Sequence, residues 1–249
     1  MANALQHLLL PAECLLCRAL LPFARADQLV CAVCRHRWRP VRPPWCERCG
    51  QPEPLFGACR LCAAWPAALR QVRSAVWLED GPRAAIHALK YQGLARLADD
   101  LAEVMARHLP APDEASVLVP IPLGPRRLRE RGYNQSERLA AALAQRWDRP
   151  TAACLGRVRD TPSQTALTPQ ARLANVAGAF ATRNAEVGTR TGASADCSPF
   201  RVPRSTFVLV DDVFTTGATL AAAAQALARA GRTRVHAVTF GRATIPDFT

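Results

Sequence analysis

The chain has 249 residues, of which 49% are apolar, and a formal net charge of +12. This apolar fraction supports a packed core and excludes a globally disordered chain, and the length suits one large or two modest domains. No apolar run approaches the length of a membrane span, and the first residues, MANALQHLLLPA, lack the features of a secretory signal. We therefore expect a cytoplasmic protein with no membrane insertion.

The positive charge is carried almost wholly by arginine, because Lys90 is the only lysine. An excess of this size favours polyanionic partners such as nucleic acid or pyrophosphate, and codon bias is the alternative explanation. The single retained lysine indicates either a site that needs a compact ammonium group or chance.

Eight cysteines near the start of the chain form four Cys-x-x-Cys pairs, separated by 13, 11 and 9 residues. The pairs are Cys14/Cys17, Cys31/Cys34, Cys46/Cys49 and Cys59/Cys62. This spacing is typical of zinc ribbons, whereas a disulfide framework would need an oxidising compartment. The simplest pairing assigns the first four thiolates to one Zn²⁺ and the last four to another, and an interleaved pairing remains open. Four thiolates leave no position for water, so both ions should be structural.

Residues 1–66 are therefore predicted to form a double zinc-ribbon module that needs its metal in order to fold. Between its two sites, arginines alternate with tryptophans, at Arg35, Arg37, Trp38, Arg39, Arg42 and Trp45. Such a surface can stack single-stranded bases and bind their phosphates. The alternative, that the side chains pack against the zinc sites, fits the tryptophans better than the arginines.

Residues 67–249 form the second predicted domain, in which short valine-rich strands alternate with amphipathic helices. After a linker over Pro66–Arg70, a strand over Val72–Leu78 leads to a helix that opens at Gly81 and includes Lys90 and Tyr91. The next helix buries Leu94, Leu97, Leu101 and Val104, and it turns Asp99 and Asp100 towards solvent. Further strands are predicted at residues 117–121, 151–158, 207–210 and 235–240.

An arginine-rich loop is predicted over Pro122–Tyr133, directly after a buried strand. It contains Arg126, Arg127, Arg129 and Arg131. Ligands bind at the carboxyl edge of open α/β sheets, so these arginines are candidates for anion binding, with a solvated surface as the alternative. Asn134 should then cap a helix, with Glu137 completing a capping box. The buried face of that helix is predicted to be Leu139, Leu143 and Trp147.

The stretch Phe207–Thr219, FVLVDDVFTTGAT, has the strongest chemical signature in the chain. It predicts a buried strand, an acidic turn at Asp211 and Asp212, a hydroxyl-rich loop and a helix that ends at Gly231. A helix N-terminus preceded by Gly217 binds a phosphate readily. Two adjacent carboxylates suit sugar hydroxyls or hydrated Mg²⁺ instead. A ribose 5-phosphate satisfies both halves of the pattern.

This stretch resembles the phosphoribosyl-pyrophosphate (PRPP) motif of type I phosphoribosyltransferases at every position. The resemblance implies that Asp211 and Asp212 bind the ribose hydroxyls, that they are the catalytic residues of an active enzyme, and that Mg²⁺ accompanies PRPP. It also implies a PRPP-binding loop consisting of Thr215, Thr216, Gly217, Ala218 and Thr219. A mobile loop over the pyrophosphate would contain Arg159, Thr161, Ser163 and Gln164.

Further motifs make the resemblance more specific: LKYQG, PIPLGPRRLRERGYNQ, and Arg172 and Asn175 beyond the mobile loop. With the zinc knuckles, they resemble the ComF (ComFC/GntX) family over nearly the whole chain, sparing a polar segment, residues 185–205, that we predict to be a flexible insertion. The implied fold is α/β, a parallel-sheet type I phosphoribosyltransferase-like domain with a small N-terminal zinc-ribbon module.

The ComF resemblance implies a PRPP-binding protein that handles single-stranded DNA in DNA uptake and natural transformation, with other DNA-uptake proteins as candidate partners. Pyrophosphate or DNA would contact the basic residues Lys90, Arg126, Arg127, Arg129, Arg131 and Arg159. One alternative is an active phosphoribosyltransferase that transfers ribose 5-phosphate from PRPP to an unknown acceptor and releases pyrophosphate. Another is a zinc-ribbon adaptor with a relic PRPP site, against which the intact acidic pair and threonines argue.

Overall fold

The strands form one parallel sheet and one small antiparallel sheet in a computed structural model that describes residues 11–52, 59–159, 176, 178–183 and 205–244. The strands are β1 (Leu69–Trp77), β2 (Ser116–Pro120), β3 (Leu155–Arg157), β4 (Phe180–Thr182), β5 (Thr206–Phe214) and β6 (Val235–Arg242). The parallel sheet has the order β1-β6-β5-β2, so the last strand in sequence lies inside the sheet. β3 and β4 pair antiparallel beside it.

The helices are the 3-10 turn Phe23–Arg25, α1 (Ala32–His36), α2 (Asp80–Tyr91), α3 (Leu97–His108), α4 (Pro125–Arg131), α5 (Gln135–Trp147) and α6 (Ala218–Arg229). Among the described residues, none of these helices has the length and apolar character needed to cross a bilayer. The α/β fold class with a parallel sheet, predicted from the sequence, is confirmed.

β5 is buried on both faces, as its run of apolar residues predicts. Phe207 and Leu209 pack with the alanine-rich helix α6, whereas Val208 and Val210 pack on the opposite face with α3 and α5. Helices therefore cover both faces of the sheet. The α6 helix ends at Arg229, two residues before the predicted end at Gly231, whose positive φ of 80° is typical of a glycine just beyond a helix.

The two cysteine-rich halves pack on opposite faces of the sheet. Cys14 and Trp38 belong to the apolar cluster that includes α3 and α5, whereas Cys49 and Trp65 belong to the cluster around α6. The connection between them runs along the free edge of β1, where Val41 N–H donates to Ala75 O at 3.1 Å. The cysteine-rich region thus covers an otherwise unpaired strand edge.

Several boundaries differ from the sequence predictions. The acidic pair lies within β5 and not in a turn, because the strand continues to Phe214. The predicted arginine-rich loop contains the helix α4, which starts at Pro125 and ends before Gly132, whose φ is 81°. The strand predicted at 151–158 is shorter in the structure, where only β3 (Leu155–Arg157) is a strand. Leu69 and Arg70, the last two residues of the predicted linker, belong to β1.

The prediction that Asp100 faces solvent is wrong, because its side chain is buried. Its carboxylate accepts the N–H groups of Leu29 and Val30 at 2.7 and 2.8 Å. The Arg35 guanidinium, only 1% exposed, lies 3.7 Å from Asp100 and 2.5 Å from Glu103. Arg35 was predicted to be a nucleic-acid contact, and it instead joins the first cysteine-rich half to α3.

Candidate functional site: two thiolate clusters and an acidic strand end

The eight cysteines form two clusters, and the simple pairing predicted from the sequence is the one observed. One cluster contains Cys14, Cys17, Cys31 and Cys34, and the other contains Cys46, Cys49, Cys59 and Cys62, with ligand atoms within 4.8 Å of one another. Sulfur–sulfur distances of 3.5 to 3.9 Å match the edge of about 3.8 Å expected for a ZnS₄ tetrahedron with 2.3 Å bonds. An interleaved pairing does not fit this geometry.

The electrostatics of both clusters also fit a bound cation. Burial, together with neighbouring thiols, raises the pKa of Cys34 and of Cys49, and it raises the pKa of Cys62 to about 12. Burial also opposes ionisation of Cys14 and Cys46, but hydrogen bonds from backbone N–H groups and neighbouring thiols outweigh it, lowering the pKa of Cys46 and that of Cys14 to about 6. Crowded thiols of this kind ionise together only when a metal ion compensates their charge. Zn²⁺ suits four thiolates, and because no coordination position is left for water, both sites are suited to a structural role.

The acidic pair lies at the carboxyl half of β5, buried and engaged by neighbouring side chains. Asp211 Oδ1 accepts hydrogen bonds from Ser136 Oγ and from Asp212 N–H, both at 2.9 Å. Asp212 Oδ2 forms an ion pair with Lys90 Nζ. Three elements therefore meet at this point: the end of α2, the start of α5 and the strand itself.

The two carboxyl groups have their pKa values shifted in opposite directions. Burial and the charge of Asp212 raise the pKa of Asp211 to about 7. Burial also opposes ionisation of Asp212, but the Lys90 ammonium and its hydrogen bond outweigh this effect and lower the pKa of Asp212. Like charges on adjacent residues cannot both be fully stabilised in a buried site, so one carboxyl takes the charge and the other tends to keep its proton.

The predicted PRPP loop follows directly. Residues Thr215–Gly217 connect β5 to α6, and Gly217 takes a left-handed φ of 77° immediately before the helix. Thr216 is 3% exposed, and its Oγ1 has no hydrogen-bond partner among the described residues. Thr215 and Thr219 are half-buried, and Ala218 starts the helix. The loop thus combines a helix N-terminus with an unsatisfied hydroxyl.

Lys90 and Arg131 both lie near the acidic pair. Lys90 forms an ion pair with Asp212, and the positive charge of Arg131 also helps to lower the pKa of Asp212. Arg131 lies 5.5 Å over the ring of Tyr91 and donates to Gln135. Tyr91 is 69% exposed, and His87 flanks it with ring centroids 5.0 Å apart. A cation and an exposed aromatic ring therefore border the site.

The other predicted basic residues lie farther out. Arg126 and Arg129 are exposed on α4, and Arg126 lies 3.7 Å from Glu130 one turn away. Arg127 is half-buried on the same helix, and Arg159 is exposed two residues beyond β3. The other residues of the predicted mobile loop and most of the predicted insertion lie outside the described residues. They are Thr161, Ser163, Gln164 and residues 185–204, and the same holds for Arg172 and Asn175.

Two residues of the site, Ser136 and Trp65, were not predicted from the sequence. Ser136, which donates to Asp211, follows the helix cap Asn134, whose side chain accepts from Ser136 N–H at 3.0 Å. Asn134 also donates to Ile121 O, and the Tyr133 hydroxyl donates to Leu89 O, so this motif holds the backbone together beside the site. Trp65 packs on Gly217, and nothing in the local sequence indicates this contact.

The fold and the site define an α/β protein with a mainly parallel sheet and an N-terminal pair of Cys₄ clusters. Its sheet carries an acidic strand end followed by a threonine–glycine loop. The family model for the double zinc ribbon domain matches residues 5–64. The chain is 30% identical over 218 residues to the competence protein ComFC of Bacillus subtilis (strain 168), covering 84% of this chain and 81% of that protein. The chain belongs to the ComF family.

Other relatives show the same relationship over almost their full length. The DNA utilization protein YhgH of Salmonella typhi is 32% identical over 244 residues, covering 92% of this chain and 96% of that protein. The DNA utilization protein YhgH of Escherichia coli (strain K12) is 28% identical over 240 residues, with the same two coverages of 92% and 96%.

Proposed function

We propose that this protein binds PRPP at the junction of β5 and α6 and handles single-stranded DNA during DNA uptake. The observation that carries the proposal is the sequence of groups along this junction. A buried acidic pair at the strand end is followed by the loop Thr215–Gly217 and the N-terminus of α6. The helix start offers N–H groups and a positive dipole end to a phosphate, and carboxylates accept hydrogen bonds from ribose hydroxyls.

In this proposal each end of PRPP has its own partners. The 5-phosphate binds the loop from Thr215 to Thr219, where the unpartnered Thr216 hydroxyl supplies a donor. The ribose hydroxyls bind at Asp211 and Asp212, and Lys90 and Arg131 face the pyrophosphate. Because Lys90 already balances Asp212 and Asp211 accepts two hydrogen bonds, the phosphates of PRPP are the main ligands that we expect for the accompanying Mg²⁺.

Single-stranded DNA is proposed to run across α4 and Tyr91. The exposed arginines of α4 can pair with backbone phosphates, and the exposed Tyr91 ring beside Arg131 is suited to stack a base. The net charge of +12 favours such a partner. The names of the relatives, a competence protein and a DNA utilization protein, support this assignment.

The direct test is calorimetric titration of the zinc-loaded protein with PRPP and Mg²⁺, with and without a short single-stranded oligonucleotide. We expect PRPP to bind and the oligonucleotide to change its affinity, because two ligands on one site region are thermodynamically coupled. Asp211→Ala should weaken PRPP binding and leave the fold intact. Asp99→Ala, on the exposed side of α3, should change neither the PRPP affinity nor the fold. Absence of PRPP binding to the unsubstituted protein would reject the proposal.

One observation favours the second candidate, an active phosphoribosyltransferase. The environments of Asp211 and Asp212 drive their pKa values apart, which is the pattern of a carboxyl pair that divides acid and base roles. In that case the acceptor bonds to the ribose carbon while the bond from that carbon to pyrophosphate breaks, and Asp211 in its ionised form takes the proton that the acceptor loses. The test is release of pyrophosphate from PRPP in the presence of nucleobase and amine acceptors, with Asp211→Asn as the inactive variant.

A further inference from the structure

The second cysteine cluster contacts the phosphate loop through Trp65. The six-membered ring of this tryptophan lies against Gly217: a Cβ added there would overlap Cζ2 and lie 2.9 Å from Cε2 and Cη2. The same ring packs edge-on against Phe214, with centroids 6.0 Å apart. Trp65 thus touches the last residue of β5 and the last residue before α6, and it spans the loop between them.

Trp65 is itself held by the second cluster. Arg48, between the ligands Cys46 and Cys49, donates to Cys62 O at 3.0 Å and to Trp65 O at 3.1 Å. Its guanidinium lies 6.0 Å from the centroid of the Trp65 ring. Arg48 therefore fixes the backbone around Trp65, and the position of Arg48 depends in turn on the folded second cluster.

A second connection joins the same elements from the other side. Arg242, at the end of β6, is 1% exposed and donates to Cys49 O at 2.9 Å. Its guanidinium also lies 4.3 Å over the Phe214 ring. Phe214 is thus enclosed between two side chains that both depend on the second cluster. The first cluster, in contrast, packs on α3 through Asp100 and Arg35, on the opposite face of the sheet.

Two polar atoms at this contact have no hydrogen-bond partner among the described residues. They are Trp65 Nε1 and Thr216 Oγ1, in residues that are 5% and 3% exposed. Buried polar groups of native proteins are nearly always paired. An unpaired donor in the loop and another on the indole ring that packs on it therefore indicate a conformation completed by another group. An anion bound at the loop can supply the missing acceptor.

We propose that Trp65 is a positioning residue through which the second thiolate cluster, when it holds Zn²⁺, fixes the phosphate loop for a phosphate-ester ligand. Binding of the ligand and retention of the second Zn²⁺ are then coupled, and the coupling is reciprocal. This inference rests on the proposed binding of PRPP at the loop. It assigns the first cluster no part in ligand binding.

The first test measures zinc release to a chelator with and without PRPP–Mg²⁺. Cys17→Ser and Cys59→Ser identify the release phases of the first and second clusters. We expect PRPP to slow release from the second cluster by about 5-fold or more and to leave the first unchanged. Equal rates with and without PRPP, in a protein that binds PRPP by calorimetry, overturn the inference alone. Failure of the unsubstituted protein to bind PRPP rejects the proposed function itself.

The second test separates positioning from packing. Trp65→Phe keeps an aromatic ring near Phe214, but the smaller side chain lacks the outer, benzo part of the indole that reaches Gly217. We therefore expect PRPP to bind about 5- to 20-fold more weakly at full zinc occupancy. Gly217→Ala strains the left-handed backbone in either protein. It should still cost less affinity in the Trp65→Phe background than in the unsubstituted protein, because the overlap with the indole is gone. Unchanged PRPP affinity in Trp65→Phe, or additive effects of the two substitutions, overturns the inference.

Discussion

Lys90, at the end of α2, forms a mostly buried ion pair with Asp212 of β5, so the only lysine of the chain neutralises one member of the acidic pair. Lys90 is 21% exposed in its side chain and Asp212 only 6%. A carboxylate in this position is stable only because the ammonium offsets the loss of hydration. The pair therefore joins the helix to the sheet at the candidate ligand site, which gives the retained lysine a physical reason.

Replacement of Lys90 by methionine should destabilise the fold, because it leaves the Asp212 charge buried and unpaired. We expect a loss of about 3 kcal/mol in the free energy of unfolding, measured by urea denaturation of the zinc-loaded protein at neutral pH. The charge-matched control is Arg83→Met, which removes an exposed cation from the same helix. In the double variant Lys90→Met/Asp212→Asn the loss should be smaller than the sum of the single effects. Strict additivity would argue against the pair.

Asp211 should make the stability of the protein fall as the pH rises. Its pKa in the folded state is raised to about 7 by burial and by the Asp212 charge, whereas an unfolded aspartate has a pKa of about 3.9. Between these values the folded state binds more protons than the unfolded state. Its stabilising contribution is therefore complete below about pH 4 and is lost as the pH rises through 7.

Asp211→Asn removes this titration, so the variant should gain stability relative to the unsubstituted protein between pH 6 and pH 7. The difference should grow by at most about 1.4 kcal/mol per pH unit. The measurement is the free energy of unfolding at several pH values above 6, where the zinc sites stay loaded, with Asp99→Asn as the exposed control. Parallel pH curves for the unsubstituted protein and Asp211→Asn would show that Asp211 does not carry the raised pKa.

The sequence predicted the elements whose signal is local. The valine-rich run of β5, the Cys-x-x-Cys spacing and the cap at Asn134 each depend on neighbouring residues, and the structure has all three. The extent of β5 was underestimated because Asp211 and Asp212 disfavour strands when exposed. Here they are buried, and partners from α2 and α5 stabilise them inside the strand.

Contacts between distant segments left no local signal. Asp100 lies three residues after Leu97 and four before Val104, on the buried face of α3 where Asp99 does not lie. Its partners Leu29, Val30 and Arg35 are distant in the sequence, so periodicity does not identify them. The contact of Trp65 with Gly217 likewise depends on how the second cysteine-rich half docks on α6. A tryptophan after a cysteine pair is compatible with many packing arrangements, so periodicity and spacing do not identify its partner.

Asp100 should be essential for docking of the first cysteine-rich half on α3. Asp100→Ala leaves the N–H groups of Leu29 and Val30 without their acceptor and removes a counter-charge from the buried Arg35. We expect a loss of about 3 to 5 kcal/mol in the free energy of unfolding and faster release of zinc from the first cluster. Asp99→Ala, at the exposed neighbouring position, is the matched control. Equal zinc release from both variants would contradict the role of Asp100.

The arginines of α4 should contribute to binding of single-stranded DNA through phosphate contacts. Replacement of Arg126, Arg127 and Arg129 by glutamine removes up to three such contacts. The salt dependence of binding, plotted as log K against log salt concentration, should therefore flatten by about 2. The measurement is fluorescence anisotropy of a labelled oligonucleotide at several salt concentrations, with zinc content checked for each protein.

A second triple variant separates local contact from net charge. Glutamine replaces the exposed arginines of α2, α3 and α6, namely Arg83, Arg107 and Arg229, and changes the charge by the same amount. Because contacts release counterions only where the phosphates lie, this variant should keep most of the salt slope. If both triple variants lose the slope equally, DNA binding depends on the overall charge of the protein, and α4 is not its site.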